Sequence, residues 1–242
     1  MRLDQAIAAR HPELSRRKAR ELIAAERILV NDRPVRVASR EVADGDRITV
    51  VEELPELVIV RETADFIAVN KPPGMPTQPT RDRTPRSLEE LLRIRYREVF
   101  LVHRIDTQTS GVVVFARTRR AAAELSALFA SRQIAKTYLA VVEGAVPHEL
   151  TIESPIGGKD AHTIVRPLKQ LDGMTIVEAE ILTGRTHQIR VHMKSVEQPV
   201  VGDRRYGSTM SAPRMLLHAW KLAHPYFGDE LTAPVPGDFP PL

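Results

Sequence analysis

A single carboxylate, Asp106, stands in a polar loop directly ahead of the apolar run 112–116. Arg104 precedes it by two positions, and a cluster of Thr, Gln, Ser and Gly follows it. An aspartate in such a loop commonly bonds to its own backbone, so a turn role is one interpretation. The other interpretation is a carboxylate kept for chemistry, and two further segments bear on that choice.

The segment TGRTHQIRVHMKS, residues 183–195, is dense in hydrogen-bond donors. Gly184 predicts a turn, and Thr186 predicts the N-cap of a helix. His187, Arg190 and Lys194 recur at spacings of three and four, so they share one polar face of that helix. An arginine on this face can keep a nearby carboxylate ionised by direct pairing. The alternative is a solvated basic face opposite the apolar side of the helix.

An aromatic residue, Tyr138, stands at the start of the predicted strand TYLAVVEG. Its ring can cover a pocket while its hydroxyl faces inward, although an aromatic side chain at a strand start also suits the core. Stacking of a nucleobase on an aromatic ring contributes about 1–3 kcal/mol per base in nucleic-acid-binding proteins. The ring is therefore a candidate platform for a base.

Several classes of chemistry are excluded or disfavoured by the composition. The chain has no cysteine, which excludes disulfides, cysteine nucleophiles and thiolate metal sites. His187 and His192 are five positions apart, so they do not share a helical face as zinc ligands four apart do. No phosphate-binding glycine loop, dinucleotide fingerprint or nucleophile elbow occurs. A zinc site and a nucleotide-binding motif are therefore not expected.

Charge and hydropathy favour a cytoplasmic protein with a polyanionic partner. The formal net charge is +4, and residues 1–50 hold eleven Arg and Lys against eight Asp and Glu. Clustered basic residues favour nucleic acid because they replace counterions at phosphates. No run of about 18 apolar residues predicts a membrane span, and the N-terminus lacks the apolar core of a signal peptide. No membrane association is expected.

From residue 58 to residue 242 the chain predicts one α+β domain, because hairpin-like strands outnumber helices and do not alternate with them. The expected strands are FIAVN, VVVFAR, TYLAVVEG, TIVEAEIL and RMLLHAWKLA. The expected helices are SLEELLRIRY, RRAAAELSALFASRQ and THQIRVHMKSV. Thr118 predicts the N-cap of the second helix, and Ile189 and Met193 fall on the buried side of the third.

Residues 1–51 predict a small separate α/β unit, joined to the rest by a linker at 52–57. Ser15 predicts the N-cap of a helix over SRRKARELIAAERI. The apolar residues on one face of this helix are Ala19, Leu22 and Ile23. ILVNDRPV predicts a strand, a polar turn and a returning strand, and VADGDRITV predicts an Asp-Gly turn followed by a third strand.

The basic residues Arg16, Arg17 and Arg20 fall away from the apolar face and form a basic edge, which is either a candidate RNA-binding surface or a helix face that simply faces solvent. The motifs RLDQAI, LSRRKARELIAAERILVNDRPV and VADGDRITV resemble the alpha-L RNA-binding domain, which occurs in a ribosomal small-subunit protein and in several RNA-modifying enzymes. The resemblance implies that residues 1–51 bind RNA.

The second domain carries the motifs VNKPPGMPT, HRIDTQTSG, KTYLAVVEG, TGRTHQIRVHM, GDRRYG and LLHAWKLAHP in that order. Their order and spacing resemble the family A, large-ribosomal-subunit type of pseudouridine synthases over residues 60–235. This resemblance implies a mixed, mainly antiparallel sheet with flanking helices. It also implies isomerisation of uridine to pseudouridine, a reaction that needs neither metal nor cofactor.

The resemblance also implies roles for individual residues. Asp106 matches the essential carboxylate, Arg190 pairs with it, and Tyr138 stacks on the uracil and is a candidate base toward the carbon 5 proton. Whether the carboxylate attacks the base, attacks the sugar or deprotonates the sugar stays open. Arg104 matches the residue that fills the space left by the flipped nucleotide, and Leu217 matches an apolar pocket wall.

Arg185 and His187 are candidate phosphate contacts. The expected substrate is one uridine in structured RNA, with large-subunit ribosomal RNA favoured and tRNA as the alternative. A non-catalytic RNA-binding or ribosome-assembly factor is the alternative from another functional class. The resemblance further implies a protein that acts as a monomer.

Overall fold

The computed structural model describes residues 1–51, 55–80, 86–96 and 98–241. Residues 52–54 of the predicted linker lie outside this part of the chain. Two compact units are present: the first comprises Met1–Glu56 with Glu89–Val99, and the second comprises Leu57–Leu88 with Phe100–Leu242. The domain limits expected from the sequence stay a prediction.

The first unit packs two N-terminal helices on a small antiparallel sheet of order β2-β1-β3. Its elements are α1 (Leu3–Arg10), α2 (Arg16–Ala24), β1 (Ile28–Val30), β2 (Arg33–Pro34) and β3 (Ile48–Val50). The Ser15 hydroxyl accepts a hydrogen bond from Lys18 N at 3.2 Å, which confirms the predicted N-cap. Asn31 and Asp32 have φ values of 52° and 64°, a conformation that suits them to the tight turn between β1 and β2.

The predicted apolar face of α2 is confirmed, since all three of its residues are buried in the core of the first unit. Helix α3 (Leu88–Arg95) contributes most of its length to the same unit. There Ile94 packs against Leu29 and Val51. Local periodicity predicts that this helix forms, but contacts distant in sequence determine what it packs against.

In the second unit, the described strands form one large mixed sheet. The strands are β4 (Val58–Glu62), β5 (Phe66–Lys71), β6 (Phe100–Leu101), β7 (Ser110–Ala116), β8 (Ala135–Glu143), β9 (Leu150–Ile152), β10 (Thr163–Leu171), β11 (Met174–Ile181), β12 (Leu217–Ala223) and β13 (Leu231–Thr232). The order along the sheet is β4-β5-β7-β12-β8-β11-β10-β9, with β6 beside β7 and β13 beside β12. Among these described strands only β7 and β12 pair in parallel, so the predicted α+β class is confirmed.

Strand β7 directly follows the loop that carries Asp106 and lies in the interior of the sheet. All seven of its residues are buried. Its continuous apolar sequence follows from this position, because a strand covered on both faces has no solvent side to alternate with. Strand β10 is different: the sequence did not predict it. Its charged residues and Pro167 obscure the period of two, and the pairing with β11 shifts register between Pro167 and Lys169.

Two helices lie on the sheet and border the cavity described below. Helix α4 (Arg119–Ala130) buries Ala121 and Leu125 against β7, and Thr118 caps it as predicted by accepting from Ala121 N at 3.1 Å. Helix α5 (Gln188–Ser195) packs Ile189 and Met193 against β8 and β11, which confirms its predicted buried side. The C-terminal end of α4 and the N-terminal end of α5 both line the cavity.

Candidate active site

The loop between β6 and β7 holds Asp106 in a turn and directs its side chain toward α5. Thr109 N donates to the Asp106 carbonyl at 3.1 Å, while the carboxylate accepts from Arg190 Nη1 at 3.2 Å. The Asp106 side chain is 21% exposed, so a ligand in the cavity can reach it. The backbone of this aspartate therefore forms the turn, while its carboxylate faces the cavity beside Arg190.

Arg190 is held on three sides. Its Nε and Nη2 atoms donate to both carboxylate oxygens of Asp203 at 2.6 and 2.9 Å, and Nη1 donates to Asp106. The guanidinium also lies over the Tyr206 ring, 4.9 Å from its centre. Burial lowers the pKa of Arg190, but the bonds to Asp203 and Asp106 outweigh burial and leave the pKa raised. Arg190 is thus a fixed positive charge beside Asp106.

His187 approaches the same carboxylate oxygen as Arg190, with its Nε2 3.7 Å from Asp106 Oδ2. Its Nδ1 lies 2.9 Å from the Tyr206 hydroxyl, which fixes the plane of the ring. Burial lowers the pKa of His187, Asp106 opposes this, and the charges of Arg190 and Arg205 add to the lowering. The imidazole is therefore neutral at pH 7, and Arg190 is the cation that compensates the charge of Asp106.

Thr186 is not the N-cap of α5, so that expectation was wrong. The cap position belongs to His187, which has a φ of 58° and no capping hydrogen bond. The side-chain amide of Gln188 instead bonds to the turn before the helix. Its Oε1 accepts from Arg185 N at 3.0 Å and from the Thr183 hydroxyl at 2.6 Å. This buried network fixes the turn before α5 and aims His187 at Asp106.

Tyr138 and Leu217 form the wall of the cavity on the sheet side. They come from the neighbouring strands β8 and β12, where Leu217 pairs with Ala140. Tyr138 is half-buried and Leu217 is buried. Burial, followed by the nearby charge of Asp106, raises the pKa of the Tyr138 phenol, which keeps it protonated. The proposed role of Tyr138 as a base stays a prediction, and a protonated phenol is less ready for it than for stacking.

A loop of the second unit that follows β5 supports the backbone around Asp106. Lys71 is fully buried, and its Nζ donates to the carbonyls of Pro72, Met75 and Thr107 at 2.8, 2.7 and 3.2 Å. Three carbonyl acceptors match the three donors of an ammonium group. Burial lowers the pKa of Lys71 to about 7, and the charge of Asp106 opposes this.

The same loop holds the residue on the other side of Asp106. The Thr77 hydroxyl donates to the Ile105 carbonyl at 2.8 Å and accepts from Ile105 N at 3.3 Å. Lys71 thus anchors position 107 and Thr77 anchors position 105. Lys71 and Thr77 both belong to the motif VNKPPGMPT, but the sequence alone predicted no role for them. An isolated lysine at the end of the apolar strand FIAVN was the available signal.

The crossing of β7 and β12 also depends on specific residues. Gly111 has a φ of 118°, and a Cβ there would lie 2.1 Å from the carbonyl oxygen of Ala219. One residue earlier, Ser110 Oγ lies 2.9 Å from His218 Nδ1, and both side chains are buried. Burial lowers the pKa of His218 to about 4. The parallel pair therefore brings a neutral buried histidine close behind the Asp106 loop.

A cavity of about 400 Å³ in the second unit lies beside Asp106. It brings together all seven residues of this unit that the sequence singled out, namely Arg104, Asp106, Tyr138, Arg185, His187, Arg190 and Leu217. Arg104 is exposed at its edge, whereas Arg185 is tied back by a bond from Nε to the Asp160 carbonyl at 2.9 Å. Asp203 and Tyr206, which orient Arg190 and His187, were missed although GDRRYG was recognised as a motif.

In the first unit, the predicted RNA-binding arginines divide into two kinds. Arg20 Nε and Arg16 Nη2 lie 2.9 and 3.5 Å from the buried carboxylate of Asp4. Burial raises the pKa of Asp4, but hydrogen bonds from Arg20 and Arg2 outweigh it and leave the pKa lowered. Arg17 differs, because its side chain is 91% exposed and only weakly paired with Glu21 at 3.8 Å.

Within the described residues, no helix has the length and apolar content needed to cross a membrane. The same part of the chain contains no group of three or more His, Cys, Asp or Glu side chains with the geometry of a metal site.

A family model described as RNA pseudouridylate synthase matches residues 65–195, which include Asp106, Tyr138 and Arg190. The chain belongs to this family. Its N-terminal residues 1–48 match the S4 domain, which confirms the resemblance to the alpha-L RNA-binding domain. As an RNA pseudouridine synthase, the protein isomerises uridine to pseudouridine in RNA.

Individual relatives cover nearly the whole RNA pseudouridine synthase chain. Ribosomal large subunit pseudouridine synthase D of Haemophilus influenzae is 31% identical, over 98% of this chain and 89% of that protein. An uncharacterized RNA pseudouridine synthase of Chloroflexus aurantiacus is 35% identical, over 98% of this chain and 87% of that protein. The structure of human RNA pseudouridylate synthase domain containing 1 superposes with a TM-score of 0.65 at 29% identity, covering 77% of this chain and 85% of that one.

Proposed function

We propose that this pseudouridine synthase modifies a specific uridine of large-subunit ribosomal RNA, with Asp106 as its catalytic carboxylate. The main support is the contact of Arg190 Nη1 with Asp106 at 3.2 Å inside a cavity large enough for a nucleoside. Relatives from Haemophilus influenzae and Vibrio cholerae, both named ribosomal large subunit pseudouridine synthase D, support the RNA class.

The reaction breaks the bond between N1 of uracil and C1′ of ribose and forms a bond from C5 to C1′. The C5 proton leaves, and N1 gains a proton, so atoms and electrons balance without an oxidant or a reductant. An ionised carboxylate can attack carbon 6 of the base, attack C1′ or remove the C2′ proton. Each route needs Asp106 to be ionised and close to the nucleoside, which is the state that Arg190 stabilises.

The other cavity residues are proposed to hold the nucleotide. Tyr138 stacks on the uracil, and Leu217 forms the apolar wall against which the base turns. A uridine must leave its helical stack to enter such a pocket, at a cost of a few kcal/mol. Arg104, exposed beside Asp106, is proposed to occupy the vacated space. Arg185 and His187 are proposed to contact phosphates of the bound strand.

Residues 1–51 are proposed to form an RNA-binding domain, and residues 58–242 the catalytic domain, with the linker at 52–57 between them. Arg17 is proposed as a direct phosphate contact of the first domain. Arg16 and Arg20 are proposed to share that role from positions steadied by Asp4. We further propose that the enzyme acts in the cytoplasm as a monomer, which light scattering of the purified protein tests.

The test is release of tritium from carbon 5 of labelled uridine in RNA from cells lacking the gene. Large-subunit rRNA, small-subunit rRNA and tRNA are separated and incubated with wild type, Asp106→Asn and the exposed control Asp172→Asn. We expect release from large-subunit rRNA by wild type and the control, and none by Asp106→Asn. Release from tRNA or small-subunit rRNA alone would overturn the RNA class. Undiminished release by Asp106→Asn would overturn the role of Asp106.

Retained binding of RNA without release from any fraction would favour a non-catalytic binding factor. Binding is therefore measured in parallel with the same labelled fractions. Asp106→Asn should bind RNA as tightly as wild type, because it keeps the size of the side chain and its amide oxygen can still accept a hydrogen bond from Arg190. A loss of binding as large as the loss of release would show that Asp106 serves binding and not the chemical step.

A further inference from the structure

The cavity extends past the Asp106 side toward the end of α4. Here Phe129, Arg132 and Lys136 line it, together with His103. Lys136 and Tyr138 are two positions apart on β8, so both side chains project from the same face of the sheet into one cavity. A group bound beside Lys136 therefore shares the cavity with the nucleoside bound at Tyr138.

Lys136 is a largely buried lysine that lines the cavity and has no partner among the described residues. Its exposed fraction is 8%, and among the described residues its Nζ has no hydrogen bond and no ion pair. Burial lowers the pKa of Lys136, and the charge of Arg132 lowers it further. A charge that is largely removed from water and has no partner is costly, so this arrangement favours an anion that a ligand brings into the cavity.

Arg132 places a second positive charge at the same end of the cavity. Its side chain is exposed, it lines the cavity, and it too has no ion pair among the described residues. Arg132 has a φ of 61°, in the left-handed region, and directly follows the end of α4 and Ser131. The two cations repel one another in the free protein, and an anion bound between them removes that repulsion.

The balance of charge in the whole cavity points the same way. Five basic side chains line it, and Asp106 is the sole carboxylate among its described lining residues. That carboxylate is already bound by Arg190. The cations at the α4 end therefore have no acidic partner within the cavity.

His103 supports this end of the cavity and does not compete for the anion. Its ring stacks on Phe129 with 4.2 Å between ring centres, and its Nε2 accepts from Val114 N at 2.9 Å. Burial lowers the pKa of His103 to about 3, and the charge of Lys136 contributes. His103 is therefore a neutral side chain that fixes Phe129 next to the two cations.

We propose that Lys136 and Arg132 form a binding site for a backbone phosphate of the RNA strand, next to the nucleotide that enters the Asp106 side of the cavity. This inference rests on the proposed function only in requiring that RNA enters the cavity. A phosphodiester fits because it carries one negative charge and two free oxygens, one for each cation. The site positions the strand and reads no base.

The first experiment measures binding of a short oligouridylate across a range of salt concentrations. The variants are Lys136→Gln, Arg132→Gln and Lys136→Arg, with Arg119→Gln as a control that removes an exposed charge at the other end of α4. Each Gln variant of the site should bind about tenfold more weakly. Its slope of log affinity against log salt should fall by about 0.7 per lost phosphate contact. Lys136→Arg and the control should keep the wild-type slope.

An unchanged slope in both Lys136→Gln and Arg132→Gln would overturn the proposal. Because Lys136 is buried, Lys136→Gln is first checked by thermal melting, and the exposed Arg132→Gln carries the test if that variant is unfolded. Oligouridylate contains no ribosomal sequence, so this result does not depend on which RNA is the natural substrate. A wrong RNA class and a wrong phosphate site are therefore distinguishable.

The second experiment locates the phosphate. Single phosphates of the oligouridylate are replaced in turn by neutral methylphosphonates, and binding to wild type and Lys136→Gln is compared. At one position the replacement should weaken wild type about tenfold and Lys136→Gln clearly less, since the variant has already lost one of the two cations that hold that phosphate. Equal losses for both proteins at every position would mean that Lys136 touches no phosphate.

Discussion

Arg190 Nη1 lies 3.2 Å from Asp106 Oδ2, although the two residues are 84 positions apart in the chain. Arg190 is oriented for this contact because Asp203 accepts from its other two nitrogen atoms, Nε and Nη2, in a bidentate pair. The cation beside the proposed catalytic carboxylate is therefore oriented by a second carboxylate. This relationship makes Asp203 a positioning residue for the reaction.

Asp203→Asn should lower kcat about tenfold to a hundredfold with a smaller change in KM, since Arg190 loses its fixed orientation at the reacting end of the cavity. The matched control is Asp238→Asn, which breaks a similar bidentate pair with Arg214 at 2.6 and 2.8 Å. Tritium release at several RNA concentrations separates kcat from KM. Equal losses in both variants would show general damage and contradict a specific role for Asp203.

Lys71→Met should lower both stability and activity. The change keeps the length of the side chain but removes the buried donor that the carbonyls of Pro72, Met75 and Thr107 share, at a cost of about 3 kcal/mol in the free energy of unfolding. One of these carbonyls belongs to Thr107, next to Asp106. Urea denaturation and tritium release measure the two effects. The control is Lys169→Met, which removes an exposed Nζ that bonds to the Pro241 carbonyl and should change neither quantity. Equal behaviour of the two variants would refute this role of Lys71.

His218 should make stability depend on pH in acid. Its native pKa is lowered to about 4, so between pH 6.5 and 4 the unfolded chain binds a proton that the native histidine does not. Protonation of this histidine does not affect the free energy of unfolding above pH 6.5. As the pH falls below 6.5 it lowers the free energy of unfolding, by about 2 kcal/mol at pH 5. Denaturation at several pH values should show a shallower dependence in His218→Asn. The exposed His148→Asn should follow wild type, and a steep dependence retained in His218→Asn would be the contrary result.

Arg17→Gln should weaken RNA binding a few-fold and reduce the salt slope by about 0.7–0.9, the value for one lost phosphate contact. Its side chain is exposed and its pairing with Glu21 is weak, so folding should not change. Arg20→Gln should instead destabilise the first unit, because it leaves the buried Asp4 carboxylate with one partner fewer. Arg36→Gln, an exposed arginine paired with Glu26, is the control. Identical salt slopes in Arg17→Gln, Arg36→Gln and wild type would remove Arg17 from the interface.

Much of the local structure was predictable from short-range patterns. The caps at Ser15 and Thr118 and the buried side of α5 follow from spacing within one helix, which depends on neighbours three or four positions away. The strand β7 was predictable because its apolar run is unbroken. The family and the grouping of Asp106 with Arg190 were recognisable from whole motifs. In contrast, β10 was missed because Pro167 and charged residues hide its alternation.

The physical state of the site came only from the folded chain. The sequence placed His187 and Arg190 on one polar face and left open whether that face pairs with a carboxylate or is solvated. In the structure, Asp203 and Tyr206 bond to these two side chains and fix them beside Asp106. In the sequence, Lys71 cannot be distinguished from any other basic residue at the end of a strand. Only the folded chain brings three carbonyls together around its buried side chain. Residue types and spacing specify which groups are available, because periodicity is a local property. Which groups meet, and how much water remains around them, depends on contacts between distant segments that form together only in the tertiary structure.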